Sequence, residues 1–306
     1  MPRDELPLSE SKLKKKVKVQ SLLGKANLNF YLKCLKSLIQ KCKDNIALHL
    51  HQDGSLEQKD EELIHNEITG CTISTSVESK ERTLDNLEKL PHCQKIRQNS
   101  IWGIEFFDPL FAFPKDRLSF YIDADIFFIR PFEGLFDPSV VNGRCIFLRD
   151  IQWNAYSLSP MHLLHPRVSI VKGITTAVVC WDKSLIDWDY LEWFLDQKHL
   201  HKKPEWVLPT AQSILASKCL HKAKTVHAKQ ILNLYPNAKP DEQTFGMHLF
   251  ASYRKKWLLE VDRLAKLSCT EITPVKTKLV SCKPCGIADY MLNHGKRWIN
   301  TRLNYW

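Results

Sequence analysis

The chain has 306 residues, 44% of them hydrophobic and 25% charged, with only 10 glycines; this balance excludes a disordered or collagen-like chain and leaves enough apolar residues for a sizeable core. The 44 Lys and Arg outnumber the 34 Asp and Glu, for a formal charge of +10, which favours anionic partners such as nucleotides, nucleic acids or acidic lipid headgroups. No run reaches the ~18 apolar residues that span a bilayer. The first residues, with Asp4, Glu5 and Glu10, lack a signal-peptide apolar region, so the expectation is a cytoplasmic protein.

A basic tail, residues 1–16, opens the chain. Its lysines, Lys12, Lys14, Lys15 and Lys16, continue to Lys18 and suit either a solvated lead-in or peripheral contact with an acidic membrane surface. Val17 to Leu23 then reads as a strand and Gly24 to Asn27 as its turn. The spacing Leu28, Leu32, Leu35, Leu38, Cys42 predicts a helix with one apolar stripe. Ile46 to Leu50 alternates as a second strand that ends on the turn residues Asp53-Gly54-Ser55. A helix around Leu63 and Ile64, a short strand Cys71 to Ser74, a helix marked by Leu84, Leu87 and Leu90 and stopped by Pro91, and a helix marked by Ile104, Phe107, Leu110 and Phe111 follow.

This alternation predicts a mostly parallel sheet covered by helices, with ligands at the carboxyl ends of the strands. Those ends are Ser21 to Lys25, Asp53 to Ser55 and Asp123 to Asp125. Farther on, Cys145 to Leu148 and Ala177 to Cys180 read as strands, and Leu185 to Phe194 and Ala211 to Leu215 as helices. From Leu264 the pattern loosens into a C-terminal appendage, so the expected organisation is a tail 1–16, a domain 17–263 and an appendage 264–306. The ten cysteines read as reduced thiols. Cys282 and Cys285 have metal-ligand spacing but no regular second pair beyond Cys269 and His294, so a zinc knuckle is not expected.

The most informative stretch is Leu118-Ser-Phe-Tyr-Ile-Asp-Ala-Asp-Ile-Phe-Phe-Ile-Arg-Pro-Phe. An apolar strand runs into Asp123-Ala124-Asp125, and strand alternation points both carboxylates the same way at the edge of the sheet. Two carboxylates so close repel one another, and a hard divalent ion removes that cost while bridging diphosphate oxygens. An aspartyl-phosphate enzyme fits less well, because Phe127 stands where a small or hydroxylated residue is wanted. A nucleotidyltransferase would want a Gly-Ser turn closer than Gly54-Ser55.

This acid segment, an apolar run into Asp-x-Asp before a proline, resembles GT-A nucleotide-sugar glycosyltransferases, particularly bacterial ones; the likeness extends over about Val17 to Trp257. The resemblance implies an α/β, Rossmann-like fold and a metal, Mn2+ or Mg2+, held by Asp123, Asp125 and a late histidine, His248. It further implies a donor-facing first turn with Ser21, Gly24 and Lys25, a second turn with Asp53, and Arg97 and Asp108 approaching base and phosphate. Gly173, Thr175 and Thr176 resemble the small-residue stretch that meets the transferred sugar, and Lys255 and Lys256 resemble the late phosphate-binding lysine. Gln212 occupies the place of a catalytic glutamine seen in retaining members, although Ala211 stands where those members carry an acid. For an inverting reaction, Asp182 and Glu205 are carboxylates available as base.

The expected activity is transfer of a sugar from a nucleoside diphosphate, UDP in the first instance, to a glycan, a lipid-linked or another hydroxyl acceptor. The alternatives are a nucleotidyltransferase and a non-enzymatic nucleic-acid or membrane-surface binder. No helix-turn-helix, zinc-finger or RNA-binding aromatic signature supports nucleic acid as a partner.

Overall fold

The computed structural model describes residues 16–150, 156–158, 160–197, 206–233, 239–250, 273–292 and 295. Strands and helices alternate from the start: β1 (Val17–Leu23), α1 (Leu28–Lys41), β2 (Ile46–Gln52), α2 (Gln58–Glu67) and β3 (Thr72–Ser74), then α3 (Ser76–Asn86), α4 (Pro91–Asn99) and α5 (Ile101–Phe111). The middle of the chain gives β4 (Leu118–Ile122), β5 (Ile126–Phe128), β6 (Phe132–Glu133), α6 (Pro138–Val141), β7 (Cys145–Arg149), α7 (Pro160–Leu164), β8 (Val171–Lys172) and β9 (Ile174–Asp182). The rest comprises α8 (Trp188–Leu195), α9 (Val207–Lys218), β10 (Ala223–Val226), β11 (Ile231–Asn233), β12 (Gly246–His248), β13 (Val275–Lys276), β14 (Leu279–Ser281) and β15 (Lys283–Pro284).

Eight strands form the main sheet in the order β14-β10-β7-β9-β4-β1-β2-β3. β1 pairs in parallel with β2 and β4, β2 with β3, and β7 with β10, whereas β9 runs antiparallel to both β4 and β7. The start of β9 therefore lies at the carboxyl edge of its neighbours, and its last residue, Asp182, lies opposite Leu118 at the other edge. The predicted helical stripe is the buried one: Leu28, Leu32, Leu35 and Leu38 of α1 pack against β1, β2 and β4. Each such leucine contributes about 1.5–3 kcal/mol by leaving water. On the opposite face a second core joins α5, α8 and α9 around Trp181, Phe147, Phe194 and Tyr190.

Pro91 does more than stop a helix. It stands at the first position of α4, where its missing N–H costs nothing and its fixed φ suits the helix. α4 and α5 cross closely at Gly103, where a Cβ would come within 2.3 Å of the Ile96 carbonyl.

The described part of the expected appendage is woven into the domain. β13 pairs with β6, β14 adds an antiparallel edge strand beside β10, and β15 pairs with β8. Tyr290 is buried, and its hydroxyl donates to the Leu158 carbonyl. Strands of two or three residues are too short to show a period in sequence, which is why the segment read as loose. Cys145 and Cys219 are buried thiols with sulfurs 3.6 Å apart. Cys282 is buried beside them and Cys285 half-buried, while Cys269 and His294 lie outside the described residues. No helix among the described residues is long and apolar enough to cross a membrane.

Candidate active site

β4 stops at Ile122, and Asp123-Ala124-Asp125 forms a tight turn into β5, closed by the Ile126 N–H to the Asp123 carbonyl at 3.4 Å. The acids thus sit on a turn rather than on alternating strand positions. At this turn the chain leaves the main sheet for a small one, ordered β11-β12-β5. There Ile126 lies opposite His248 and Asn233 beside it, and the Leu249 N–H donates to the Asp125 carbonyl at 2.9 Å. Strand pairing therefore brings His248 onto a turn more than 120 residues earlier in the chain.

The His248 Nε2 lies 3.2 Å from Asp125 Oδ1 and 3.7 Å from Asp123 Oδ2. One ligand atom from each of the three side chains lies within 4.8 Å of the others. Two atoms each about 2.1 Å from an octahedral ion are about 3 Å apart when adjacent, so the set needs little closing to hold one. The tautomer also fits. Asn233 is oriented by its Nδ2 donating to the Arg149 carbonyl at 2.9 Å, so its Oδ1, 2.8 Å from His248 Nδ1, must accept. Nδ1 carries the proton, and Nε2, aimed at the carboxylates, is the atom left to bind a cation or a second proton.

Electrostatics agree with that geometry. Burial, then the Asp125 carboxylate, push Asp123 up to about 6, while His248 and the Tyr121 hydroxyl pull it down. Burial opposes charge on His248, but Asp125 and Asp123 outweigh it and raise the ring above its ordinary value. Without a metal, a shared proton partly replaces the cation.

The other expected residues are distributed unevenly. Ser21 is buried in β1, and its Oγ has no hydrogen-bond partner. Gly24 lies against Asp53, with a Cβ there only 2.1 Å from Oδ2, so only glycine lets these two strand-end turns touch. Asp53 Oδ1 accepts from the Ser55 N–H at 2.8 Å and shapes its own turn. The Lys25 N–H donates to Ser55 Oγ at 2.8 Å, and its Nζ pairs with Glu57 in solvent.

Arg97 and Asp108 are each other's partners. Arg97 Nε and Nη2 reach the two Asp108 oxygens at 2.5 and 2.8 Å, and Thr83 adds a third bond at 2.8 Å, all in the core. Gly173 has φ 70° and lies against the Asp150 carbonyl. It precedes β9, whose Thr175 and Thr176 stand at the carboxyl edge. Gln212 is buried on α9, its Oε1 accepting from Trp181 Nε1 at 2.8 Å. Lys255, Lys256 and Glu205 lie outside the described residues.

Asp182 is not placed to act as a base. It lies at the far edge of the sheet, and bonds from Arg117, Ser184 and the Gly143 N–H overcome burial to hold it at about 2. Two residues not foreseen belong with the site. One is Asn233. The other is Glu105 on α5, which shares a crevice with Thr176 and which burial, then Asp123, push well above the carboxylate range. A lone acid in the apolar run Ile101-Trp-Gly-Ile-Glu-Phe-Phe was a usable signal for Glu105. The three-residue strand carrying Asn233 offered none.

No protein-family model and no curated protein matches the sequence. Among solved structures, the galactosyltransferase LgtC, in complex with donor and acceptor sugar analogs, superposes with a TM-score of 0.51 at 9% identity, over 83% of this chain and 97% of that one. The fold is that of the GT-A glycosyltransferases. Mouse xyloside xylosyltransferase 1, in its apo form, is also similar: TM-score 0.48, 12% identity, 76% of this chain and 97% of that chain. For core-mannan synthase A from Aspergillus fumigatus, in an Mn/GDP form, the values are 0.42, 12%, 74% and 78%. At these identities the likeness is one of fold, and the chemistry of this GT-A domain rests on its own side chains.

Proposed function

We propose that this chain is a glycosyltransferase that moves a sugar from a nucleoside diphosphate, UDP in the first instance, to a hydroxyl of a glycan or lipid-linked acceptor. The observation that carries this reading is the convergence of Asp123, Asp125 and a tautomer-fixed His248 at the carboxyl edge of a GT-A sheet. In this fold class ligands sit at that edge. The solved LgtC complex, with donor and acceptor sugar analogs, supports the same direction.

In the reaction the bond from the anomeric carbon to the diphosphate oxygen breaks, a bond to the acceptor oxygen forms, and the acceptor proton passes to the departing diphosphate or to water. Mn2+ or Mg2+, held by Asp123, Asp125 and His248, would supply charge for the departing diphosphate. The chain's own residues hold the ends of that arrangement. Asn233 fixes the imidazole, and the Gly24 and Asp53 turns close the adjoining strand ends. A mostly apolar cavity of about 150 Å3 lies between α4, α5, α8 and α9, lined by Trp102, Leu195 and Val207.

Thermal shifts with UDP, GDP, ADP and CDP, each with and without Mn2+, test the proposal. Metal-dependent stabilisation by one of them is expected, together with slow hydrolysis of its sugar conjugate. Stabilisation by none, or release of pyrophosphate from a nucleoside triphosphate, would sink the reading, the second in favour of nucleotidyl transfer.

A further inference from the structure

Glu105 is an acid of this region that the metal set does not use. Its Oε1 is almost wholly buried and has no hydrogen-bond partner within the protein. A buried polar atom left unsatisfied costs about 1–3 kcal/mol, and such a cost in a folded protein points to a role for the atom. The local backbone is also unusual. Pro109 has no N–H to donate to the Glu105 carbonyl, so α5 lacks one rung there.

The side chain lines a narrow crevice between the sheet and α5 and α9, with Tyr121, Thr176, Trp181 and Gln212 on its other walls. Among the described residues that line it, only Glu105 and Thr176 are partly exposed, and the others are buried. Its mouth is therefore between those two side chains, and Thr176 directly precedes Ala177, whose carbonyl accepts from the Asp123 N–H at 2.8 Å. The free space is about 10 Å3. That admits one group the size of a water or a hydroxyl, and neither a sugar ring nor an acetamido group.

Resting on the glycosyl-transfer reading, we propose that Glu105 and Thr176 form a notch for one hydroxyl of the transferred sugar. Glu105 is then a specificity-determining residue. A sugar with a free hydroxyl at the matching carbon satisfies the unpaired carboxyl oxygen; a sugar deoxygenated there leaves it unpaired, and one N-acetylated there does not enter. Sites built to bond a hydroxyl can reject the analogue lacking it by several orders of magnitude, roughly 10⁴-fold in the strongest cases.

The test measures binding to the Mn2+-loaded protein of UDP-glucose, UDP-galactose and the four monodeoxy analogues of whichever binds more tightly, with UDP alone as control. Wild type should lose affinity for one monodeoxy analogue by roughly 100-fold or more. Glu105→Ala should weaken the parent sugar but not that analogue, erasing the difference, while UDP binds as before. Thr176→Val should erase part of it. Equal weakening of the parent and every analogue in Glu105→Ala, or no analogue singled out by wild type, would overturn the notch and leave glycosyl transfer standing. Absence of binding by UDP, GDP, ADP and CDP alike, each with Mn2+, would overturn both; where one other than UDP binds, its glucose and galactose conjugates and their monodeoxy analogues take the place of the UDP series.

Discussion

The His248 Nδ1 donates to Asn233 Oδ1 at 2.8 Å, and Asn233 is itself held by the Arg149 carbonyl on β7. This chain of two bonds ties the ring's orientation to the main sheet. Asn233→Ala leaves the ring free to turn and to change tautomer, so Mn2+ affinity should fall roughly 10–100-fold while the fold persists. Calorimetric titration with UDP present reads the affinity. An affinity equal to wild type would show that Asn233 does not set the ligand.

Asp123→Asn should have opposite effects on the two forms of the protein. Burial and Asp125 raise the Asp123 carboxyl from 3.8 to about 6, so the folded state holds this proton more tightly than the unfolded chain. Its favourable contribution is complete below 3.8 and is lost as pH rises through about 6. A neutral amide removes that loss. The metal-free variant should therefore be more stable than wild type at pH 8, on the order of 1–2 kcal/mol, and no different at pH 4. Stabilisation by UDP with Mn2+ should disappear. A lower metal-free Tm at pH 8 would contradict the account of the acid pair.

The Arg97–Asp108 pair makes the contrasting case. Arg97→Met removes one partner of a buried, bidentate ion pair and leaves a carboxylate in the core with only Thr83 to bond it. The cost should be roughly 3–5 kcal/mol, read as a denaturation midpoint shift. A double change, Arg97→Met with Asp108→Leu, should recover much of it. Full stability of the single variant would mean the pair is not the structural tie it looks to be.

Much of the fold was legible because it is regular on the scale of one turn or one strand. The stripe Leu28, Leu32, Leu35, Leu38 and the run Val17 to Leu23 are long enough to show their periods, and both stand as expected. The acid pair was legible because apolar strands flank it, although they flank a turn. What failed was direction and distance. Nothing in Ile174 to Asp182 says that this strand runs antiparallel, so Asp182 looked like a possible base when it belongs to the opposite edge. β5, β11 and β12 have three residues each, and their pairing is decided by long-range packing around Phe128, Phe132 and Phe245. The His248 placement came from resemblance, and Asn233 was out of reach.

His248 gives the sharpest pH dependence. Its ring is buried, which alone would lower its pKa, but the Asp125 and Asp123 carboxylates at 3.2 and 3.7 Å raise it instead. The protonated ring stabilises the metal-free fold, fully below its ordinary value of 6.5 and less as pH rises through the elevated folded value. Nδ1 keeps its proton on Asn233, so the proton that leaves is on Nε2, the atom a metal needs. Binding of Mn2+ must displace it, and affinity should climb with pH until the ring is neutral. His248→Ala should lower affinity throughout and reduce the proton release on binding by about one per ion, measured by calorimetry in two buffers of different ionisation heat. If His248 only filled space between β5 and β11, the same variant would lower the metal-free Tm but keep both the affinity of wild type and its slope against pH.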